Sequence, residues 1–304
     1  MVLWKQLSVI MKHVSKFSSM QFGDVMKDGI LLIDKPKGIT SRDVVNILCK
    51  HLNTKKIGHT GTLDPMATGL MVVCVNKATK LVELLTNHDK SYIAKVKLGI
   101  KTDTYDITGN IIEENYNYQI SKEEIDNVLK TFVGEYLQEV PIYSSIKVNG
   151  KRLYEYARNN EKVTLPKHLV EIKNIELLEY NNDSFTFKVF VSKGTYIRSL
   201  INDISKKMGI CMTLEELRRI TVDKFKITDA KKIEDISYDD VMDIKEIVNF
   251  PVVQVHDELE KKIRNGVKIK NTYNYDKVLF IDKNGNNLAI YEENDGYLKS
   301  YKGF

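Results

Sequence analysis

Residues 58–70 read Gly58-His-Thr-Gly-Thr-Leu-Asp-Pro-Met-Ala-Thr-Gly-Leu70 and lead directly into an apolar run that ends at Val75. The dense glycines allow the backbone to take left-handed conformations and to approach a ligand closely. Asp64 is the only carboxylate of this segment, and Pro65 restricts the backbone directly after it. A single carboxylate on such a loop suits a nucleophile that must reach one atom of a substrate, although Asp-Pro among glycines is also ordinary turn chemistry.

Hydrophobic patterns on both sides of this loop predict the other elements. Short apolar or alternating runs predict strands, at 29–34, 92–98 and 185–191. Helical repeats begin after a cap at Ser41 or Thr40, after the Ser121 capping box and at Ile197, the last ending at Gly209. Thr213-Leu-Glu-Glu216 also has the form of a capping box and predicts a further helix start. Because strands and helices alternate irregularly, we expect an α+β fold with a mixed, largely antiparallel central sheet flanked by helices.

The composition of the chain limits the possible functions. Its 304 residues suffice for one sizeable domain and a small one. The net charge of +5 is too mild to indicate nucleic acid by itself. The three widely spaced cysteines predict reduced thiols in a cytoplasmic protein. No CxxC, HExxH or Cys/His cluster occurs, and no apolar run approaches about 18 residues, so we expect neither a metal site nor a membrane span.

The two ends of the chain differ from its middle in composition and in the elements that they predict. Residues 1–28 contain no Arg, and we interpret them as an extension without stable structure rather than a targeting signal, with Met26 as a plausible natural start. The charged stretch 224–248 predicts a peripheral connector that closes a main domain of residues 29–248. The remaining residues, 249–304, predict a small β domain, with strands near 252–255, 278–282 and 288–292 and an Asn-Gly hairpin turn at 283–286.

Five stretches together resemble the TruB family of tRNA pseudouridine synthases, whose signature G-H-x-G-x-L-D-P-x-A-x-G is matched from Gly58 to Gly69. The other four, in the family's order, are 29–38, 143–158, 193–198 and 217–219. The resemblance implies the pseudouridine synthase fold, a C-terminal PUA-like RNA-binding domain at 249–304, and isomerisation of uridine 55 in the T loop of tRNA. It implies no cofactor, no obligate protein partner and a monomer.

The resemblance also assigns roles to single residues. Asp64 is the nucleophile, attacking either C1′ of the ribose or C6 of the base, and Arg198 pairs with it. Tyr92 stacks on the flipped uracil and assists loss of the C5 proton, and Tyr196 and Leu217 contact the base. His59 enters the space that the flipped nucleotide leaves. From the residues alone, Arg198 could equally be a solvated helix residue, Tyr92 a core tyrosine and His59 a turn residue.

Basic residues concentrate between 141 and 174, where they outnumber the acids and alternate with tyrosines. Cations and aromatic rings together suit recognition of a folded RNA. The resemblance makes this segment an insertion that binds the T arm, with Lys147 and Arg152 among its substrate-binding residues. A solvated hairpin is the alternative interpretation, as is a C-terminal β segment with no RNA role.

Three rival functions remain open. The chain could bind and fold tRNA without turnover, or it could be a guide-dependent synthase resembling dyskerin. A metal-dependent nuclease ranks last, because the sequence offers Asp64 no neighbouring second carboxylate to hold a cation.

Overall fold

A computed structural model describes residues 27–304, so the extension predicted for residues 1–28 lies outside the described residues except for its last two. The helices of the described part are α1 Ser41–His51, α2 Val82–Thr86, α3 Lys122–Lys130, α4 Leu153–Arg158, α5 Ile197–Met208, α6 Ile244–Ile247 and α7 Asp257–Arg264. The strands in the first half of the chain are β1 Gly29–Lys35, β2 Ile57–His59, β3 Thr68–Val75, β4 Lys90–Leu98, β5 Ile100–Thr102, β6 Ile111–Glu114, β7 Gly134–Glu139, β8 Lys147–Val148 and β9 Lys151–Arg152. Those in the second half are β10 Lys167–Asn181, β11 Ser184–Val191, β12 Met212–Val222, β13 Phe225–Lys226, β14 Lys231–Lys232, β15 Met242–Asp243, β16 Val252–Gln254, β17 Ile269–Lys270, β18 Lys277–Ile281, β19 Asn287–Asn294 and β20 Tyr297–Gly303.

The large sheet carries most of these strands in the order β14-β1-β3-β12-β4-β11-β10-β7, with β2, β13 and β15 attached at its margins. The pairs β1–β14 and β3–β12 are parallel, and the other neighbours along this order are antiparallel. The prediction of a mixed, largely antiparallel central sheet in an α+β fold is therefore confirmed.

The helix boundaries follow from local chemistry. Thr40 caps α1 and Ser121 caps α3, each through a complete capping box. Helix α5 ends at Gly209, whose φ of +66° is the left-handed conformation that glycine adopts without strain. Helices α1 and α5 direct apolar side chains into the core beneath the large sheet, where Leu48 and Leu200 are fully buried. This core fixes both helices beside the strands that carry the glycine-rich loop.

The helix start predicted at Thr213 is wrong, because this residue lies in strand β12. Its hydroxyl pairs with that of Thr102 at 3.0 Å and caps nothing. Pairing with β4 along almost the whole of β12, interrupted by bulges after Leu214 and Arg219, outweighs the local capping pattern. Tertiary pairing of this kind is not visible in a local motif.

The prediction of a peripheral connector at 224–248 is also wrong in part. Strands β14 and β15 pair with β1, and β13 pairs with β12, so this segment closes one edge of the large sheet. Ile233, Ile236 and Ile244 are buried despite the acids around them. Their apolar spacing was hidden by the charged residues between them.

The C-terminal segment forms a separate five-stranded sheet in the order β16-β18-β19-β20-β17. The strands expected near 252–255, 278–282 and 288–292 are present, and residues 282–286 connect β18 to β19 as the predicted hairpin. Leu279 and Ile290 of this sheet share a hydrophobic cluster with Ile30 and Leu70 of the large sheet. The two sheets thus share buried surface.

The three cysteines are free thiols, as predicted. Within residues 27–304, no helix is long and apolar enough to cross a membrane.

Candidate active site

The glycine-rich loop, which connects β2 to β3, is held from several sides. The Ser41 hydroxyl donates to the Leu63 carbonyl and accepts from the Leu63 amide, at 3.0 and 2.9 Å. The Gly38 amide donates to the Pro65 carbonyl at 2.7 Å. These bonds fix the backbone on both sides of Asp64, so its carboxylate is presented by a braced loop.

Lys35, a fully buried residue at the end of β1, supports the same loop. Its ammonium donates to the carbonyls of Pro36, Ala67 and, at a longer 3.4 Å, Pro65. Burial lowers the pKa of Lys35 to about 8, while the nearby Asp64 acts in the opposite direction. Three carbonyl acceptors satisfy all three N–H groups, so Lys35 acts as an internal brace.

The predicted pair of Asp64 and Arg198 is present. The guanidinium of Arg198 approaches the carboxylate with both Nε and Nη2, at 2.9 and 3.4 Å. The Arg198 side chain is 6% exposed and that of Asp64 is 35% exposed, so the cation is inside and the carboxylate faces a cavity. A solvated helix residue is therefore the wrong interpretation for Arg198. The two-pronged contact fixes the orientation of the carboxylate.

Arg198 is itself anchored on its other side. Nη1 donates to the Thr104 carbonyl at 3.2 Å and Nη2 to the Tyr143 carbonyl at 3.0 Å. The buried carboxylate of Asp106 lies 3.9 Å from Nε. The expectation that Asp64 has no second carboxylate nearby is thus wrong, because the fold brings Asp106 to the same guanidinium from a distant loop.

A cavity of about 630 Å³ opens in front of Asp64 and is wide enough for a nucleobase. The structure brings five of the predicted site residues to its wall, namely Asp64, Tyr92, Tyr196, Arg198 and Leu217. They come from four separate places: the loop before β3, strand β4, the start of α5 and strand β12. Tyr92 is buried, with its side chain on the core face of β4.

The cavity wall at Tyr196 is held by Gln138, a buried residue of β7 that our sequence analysis missed. The Gln138 amide accepts from the Tyr196 amide at 2.7 Å and donates to the Tyr196 carbonyl at 3.1 Å. This double contact fixes the backbone just before Arg198. Burial raises the pKa of the Tyr196 hydroxyl, which therefore stays protonated at neutral pH.

The structure does not bring three predicted residues to this cavity. His59 is the last residue of β2, and burial lowers the pKa of its imidazole. Lys147 and Arg152 are exposed and pair with each other in the β8–β9 hairpin. None of the three is among the residues that line the cavity.

Comparison with known proteins shows which family the chain belongs to. Residues 49–197 match the TruB family pseudouridylate synthase (N terminal domain). The protein named tRNA pseudouridine synthase B from Clostridium tetani is 40% identical over 88% of this chain and 92% of its own length. The chain belongs to the TruB family. A relative of the same name from Mesoplasma florum is 39% identical over 89% of this chain and 95% of its own.

Two solved structures are similar over more than nine-tenths of the chain. A crystal structure of a Cbf5-Nop10-Gar1 complex contains a chain that is 25% identical, with a TM-score of 0.65, over 93% of this chain and 80% of that one. An H/ACA RNP bound to a substrate RNA contains another at 23% identity, with a TM-score of 0.67, over 91% of this chain and 84% of that one, and it supports the fold alone.

Two further buried cations line the cavity, Lys90 and Arg219, and our sequence analysis assigned neither of them a role. Arg219 is the last residue of the 217–219 motif, two positions after Leu217. Composition gives no signal for Lys90, because a lysine at the start of a strand ordinarily faces solvent.

Asp64 and Asp106 belong to no group of described side chains that is placed to hold a metal ion. In residues 27–304, no group of three or more His, Cys, Asp or Glu side chains is placed to hold an ion. Asp64 and Asp106 instead share the Arg198 guanidinium, which takes the position between them that a cation would need.

Proposed function

We propose that this chain isomerises uridine 55 in the T loop of tRNA to pseudouridine, with Asp64 as the nucleophile. The observation that carries the proposal is the position of the Asp64 carboxylate, partly exposed in a cavity of base size and held in two places by a buried guanidinium. A structural carboxylate would not need to face an open cavity.

The chemistry requires that one carboxylate oxygen forms a bond and later releases it. In one route it attacks C1′ as the C1′–N1 bond breaks, and C5 of the rotated uracil then displaces it. In the other it first adds to C6 of the base. Both routes end with a C1′–C5 bond, with the C5 proton lost to water and a proton gained at N1. In either case the two nitrogens of Arg198 hold the Asp64 carboxylate in one orientation.

The target base must leave its stack to reach the cavity, at a cost of a few kcal/mol. The ring of Tyr92 and the side chains of Tyr196 and Leu217 give the wall the apolar surfaces on which an everted uracil can stack. We assign Tyr92 the further role of assisting removal of the C5 proton. We assign His59, which does not line the cavity, the role of entering the space that the flipped nucleotide leaves.

We further propose that residues 29–248 are the catalytic domain and that two other parts bind RNA. The insertion at 141–174 contacts the T arm through Lys147 and Arg152, which are both exposed, and the Arg152 guanidinium lies over the ring of Tyr154. The five-stranded sheet within 249–304 acts as a PUA-like RNA-binding domain. The protein would work as a cytoplasmic monomer without an obligate protein partner.

A guide-dependent synthase is the second candidate, because similar solved chains are named in complexes with Nop10 and Gar1. The proposal of a free tRNA enzyme is favoured by relatives at about 40% identity over most of both chains, which are named tRNA pseudouridine synthase B. A protein that only folds tRNA would have no use for a carboxylate held in a base-sized cavity.

The test uses an unmodified tRNA transcript with tritium at uracil C5. The purified chain alone should release one equivalent of tritium per tRNA, and mapping should find pseudouridine at position 55. A transcript with cytidine at position 55 is the control and should release none. Release only after a guide RNA or partner proteins are added would favour the second candidate.

A further inference from the structure

Two buried cations of the active-site cavity lack an anionic partner. Lys90 and Arg219 both line the cavity, and within residues 27–304 neither has a carboxylate within 4.0 Å of its nitrogens. A buried charge is normally paired, since its lost hydration is otherwise uncompensated. Arg198, the third buried cation here, is paired with Asp64 and so does not share this property.

The hydrogen bonds of Lys90 leave donor capacity free. Its ammonium donates to the carbonyls of His88 and Thr86, at 2.7 and 3.3 Å, which uses two of three N–H groups. Burial, followed by the nearby Arg219, lowers the pKa of Lys90 to about 8, and Asp89 opposes this only in part. Lys35 differs, because three carbonyls satisfy it.

Arg219 has unused donors in the same place. Nε donates to the Leu70 carbonyl at 2.6 Å, Nη2 to Gly61 at 3.1 Å and Nη1 to Thr62 at 3.5 Å. Three of its five N–H groups are thereby used. The remaining two, with the free one of Lys90, can serve a ligand with several acceptor oxygens.

The space between these two cations is kept open by Gly61. A Cβ at this position would lie 3.3 Å from Nη1 of Arg219 and 3.6 Å from Cε of Lys90. The glycine is not required by a left-handed backbone, since its φ is not positive. Room for a ligand is therefore the property that distinguishes glycine from alanine here.

We propose that Lys90, Arg219 and the gap at Gly61 form a binding site for one phosphodiester group next to the target nucleotide. A phosphodiester has the single negative charge and the several acceptor oxygens that these donors lack. Lys193, at the exposed rim of the same cavity, extends the positive surface toward the RNA backbone. The site rests on the proposed function, and it anchors the backbone while the base turns beside Asp64.

The test is a double-mutant cycle across the protein and the RNA. T-arm RNAs are made with a neutral methylphosphonate at the linkage 5′ or 3′ of the target uridine, one at a time, and affinity is measured for wild type and Lys90→Met. At one of the two linkages, the methylphosphonate should raise the Kd of the wild type by roughly 10- to 100-fold, as expected for loss of a charge-assisted contact. The same methylphosphonate should hardly raise the Kd of Lys90→Met, because this variant already lacks the contact. Lys95→Met, on the opposite face of the same strand, should behave as wild type.

Gly61→Ala offers a second variant that leaves both cations in place. It should weaken binding of the native RNA and reduce the effect of the same methylphosphonate. Equal losses in wild type and Lys90→Met at both linkages, or no loss at either, would overturn the phosphate site. Because affinity is read separately from tritium release, a chain that binds this RNA without turnover would sink the proposed function while still testing the site.

Discussion

At the scale of single residues, the site depends on how Arg198 is fixed. Its guanidinium contacts Asp64 with two nitrogens and the carbonyls of Thr104 and Tyr143 with the remaining donors. Lysine has the same charge but cannot form this planar, multiply bonded arrangement. The orientation of Asp64 is therefore a property of arginine at this position and not of positive charge alone.

We expect Arg198→Lys to lower kcat by about 10²-fold, because a misplacement of about 1 Å at the reacting group costs that much. KM should change little, since the Arg198 side chain is almost fully buried and is not a surface contact for RNA. Steady-state tritium release measures both constants. If Arg198→Lys keeps the wild-type kcat, the two-nitrogen contact between the guanidinium and Asp64 is not required for the reaction.

Sequence reasoning found the residues that carry motifs and missed those that support them. Asp64, Arg198, Tyr92, Tyr196 and Leu217 were all predicted, and the fold brings them to one cavity. Gln138, Lys35 and Asp106 were not, because each acts through partners that are distant in sequence. A contact between a side chain and a remote backbone atom leaves no local pattern in a sequence.

At the scale of elements, the insertion is the part whose role is least tied to the cavity. The β8–β9 hairpin and helix α4 expose Lys147 and Arg152, and Arg158 lies over the ring of Tyr154 at 5.2 Å. This arrangement presents charge outward, as a contact to phosphates requires.

The double variant Lys147→Glu, Arg152→Glu should therefore weaken tRNA binding and raise KM while kcat at saturation stays near wild type. If each residue contacts one phosphate, the slope of log K against log salt should fall by about 2. Filter binding at several salt concentrations measures the slope. The control is Lys122→Glu, Lys188→Glu, which makes the same change of charge at two exposed lysines outside the insertion. Equal losses in both double variants would mean that only net charge matters.

Strands β3 and β12 pair in parallel at Gly69, directly after the glycine-rich loop. A Cβ on Gly69 would lie 2.3 Å from the carbonyl oxygen of Arg219, and the φ of Gly69 is +104°. The close approach of these two strands, which positions the loop against Arg219, thus requires glycine.

Gly69→Ala should lower the free energy of unfolding by more than about 2 kcal/mol, since both a clash and a strained backbone arise. Urea denaturation of each variant gives this quantity. Gly134→Ala is the matched control, because Gly134 has a similar φ of +112° but no atom within 4 Å of its added Cβ. A loss no larger than that of Gly134→Ala would show that the strands can separate at no cost.

The strongest patterns predicted elements well, and their failures have a common cause. Helices α1, α3 and α5 carry caps and a regular apolar repeat, and all three are present. The capping box at Thr213 failed because β12 pairs with β4 over most of its length. The connector at 224–248 failed because β14 and β15 find their partner, β1, some 200 residues earlier in the chain.

At the scale of the whole molecule, the two sheets share a core, and charged groups are buried inside the larger one. Lys35 and Lys90 both have pKa values lowered to about 8 by burial. In the unfolded chain each would regain its ordinary value of 10.5. Between these values the unfolded state binds more protons, so the contribution of each lysine to stability rises with pH from 8 to 10.5.

This linkage predicts that the difference in free energy of unfolding between Lys90→Met and wild type depends on pH. Relative to wild type, the variant should be most stable at pH 7, where the buried ammonium is charged, and should lose this advantage between pH 8 and 10 as Lys90 of the folded wild type becomes neutral. Urea denaturation at pH 7, 8, 9 and 10 measures the difference. Lys95→Met should show no such trend, because hydrogen bonding to Glu215 raises the pKa of Lys95. If the difference in free energy of unfolding stays constant from pH 7 to 10, the lowered pKa of Lys90 is contradicted.

The most direct test of the whole account is tritium release by Asp64→Asn. Asparagine keeps the size of the side chain and removes the charge and the nucleophilic oxygen, so the variant should bind tRNA within a few-fold of wild type and release no tritium above background. Release at a rate near that of wild type would remove Asp64 from the reaction and contradict the account.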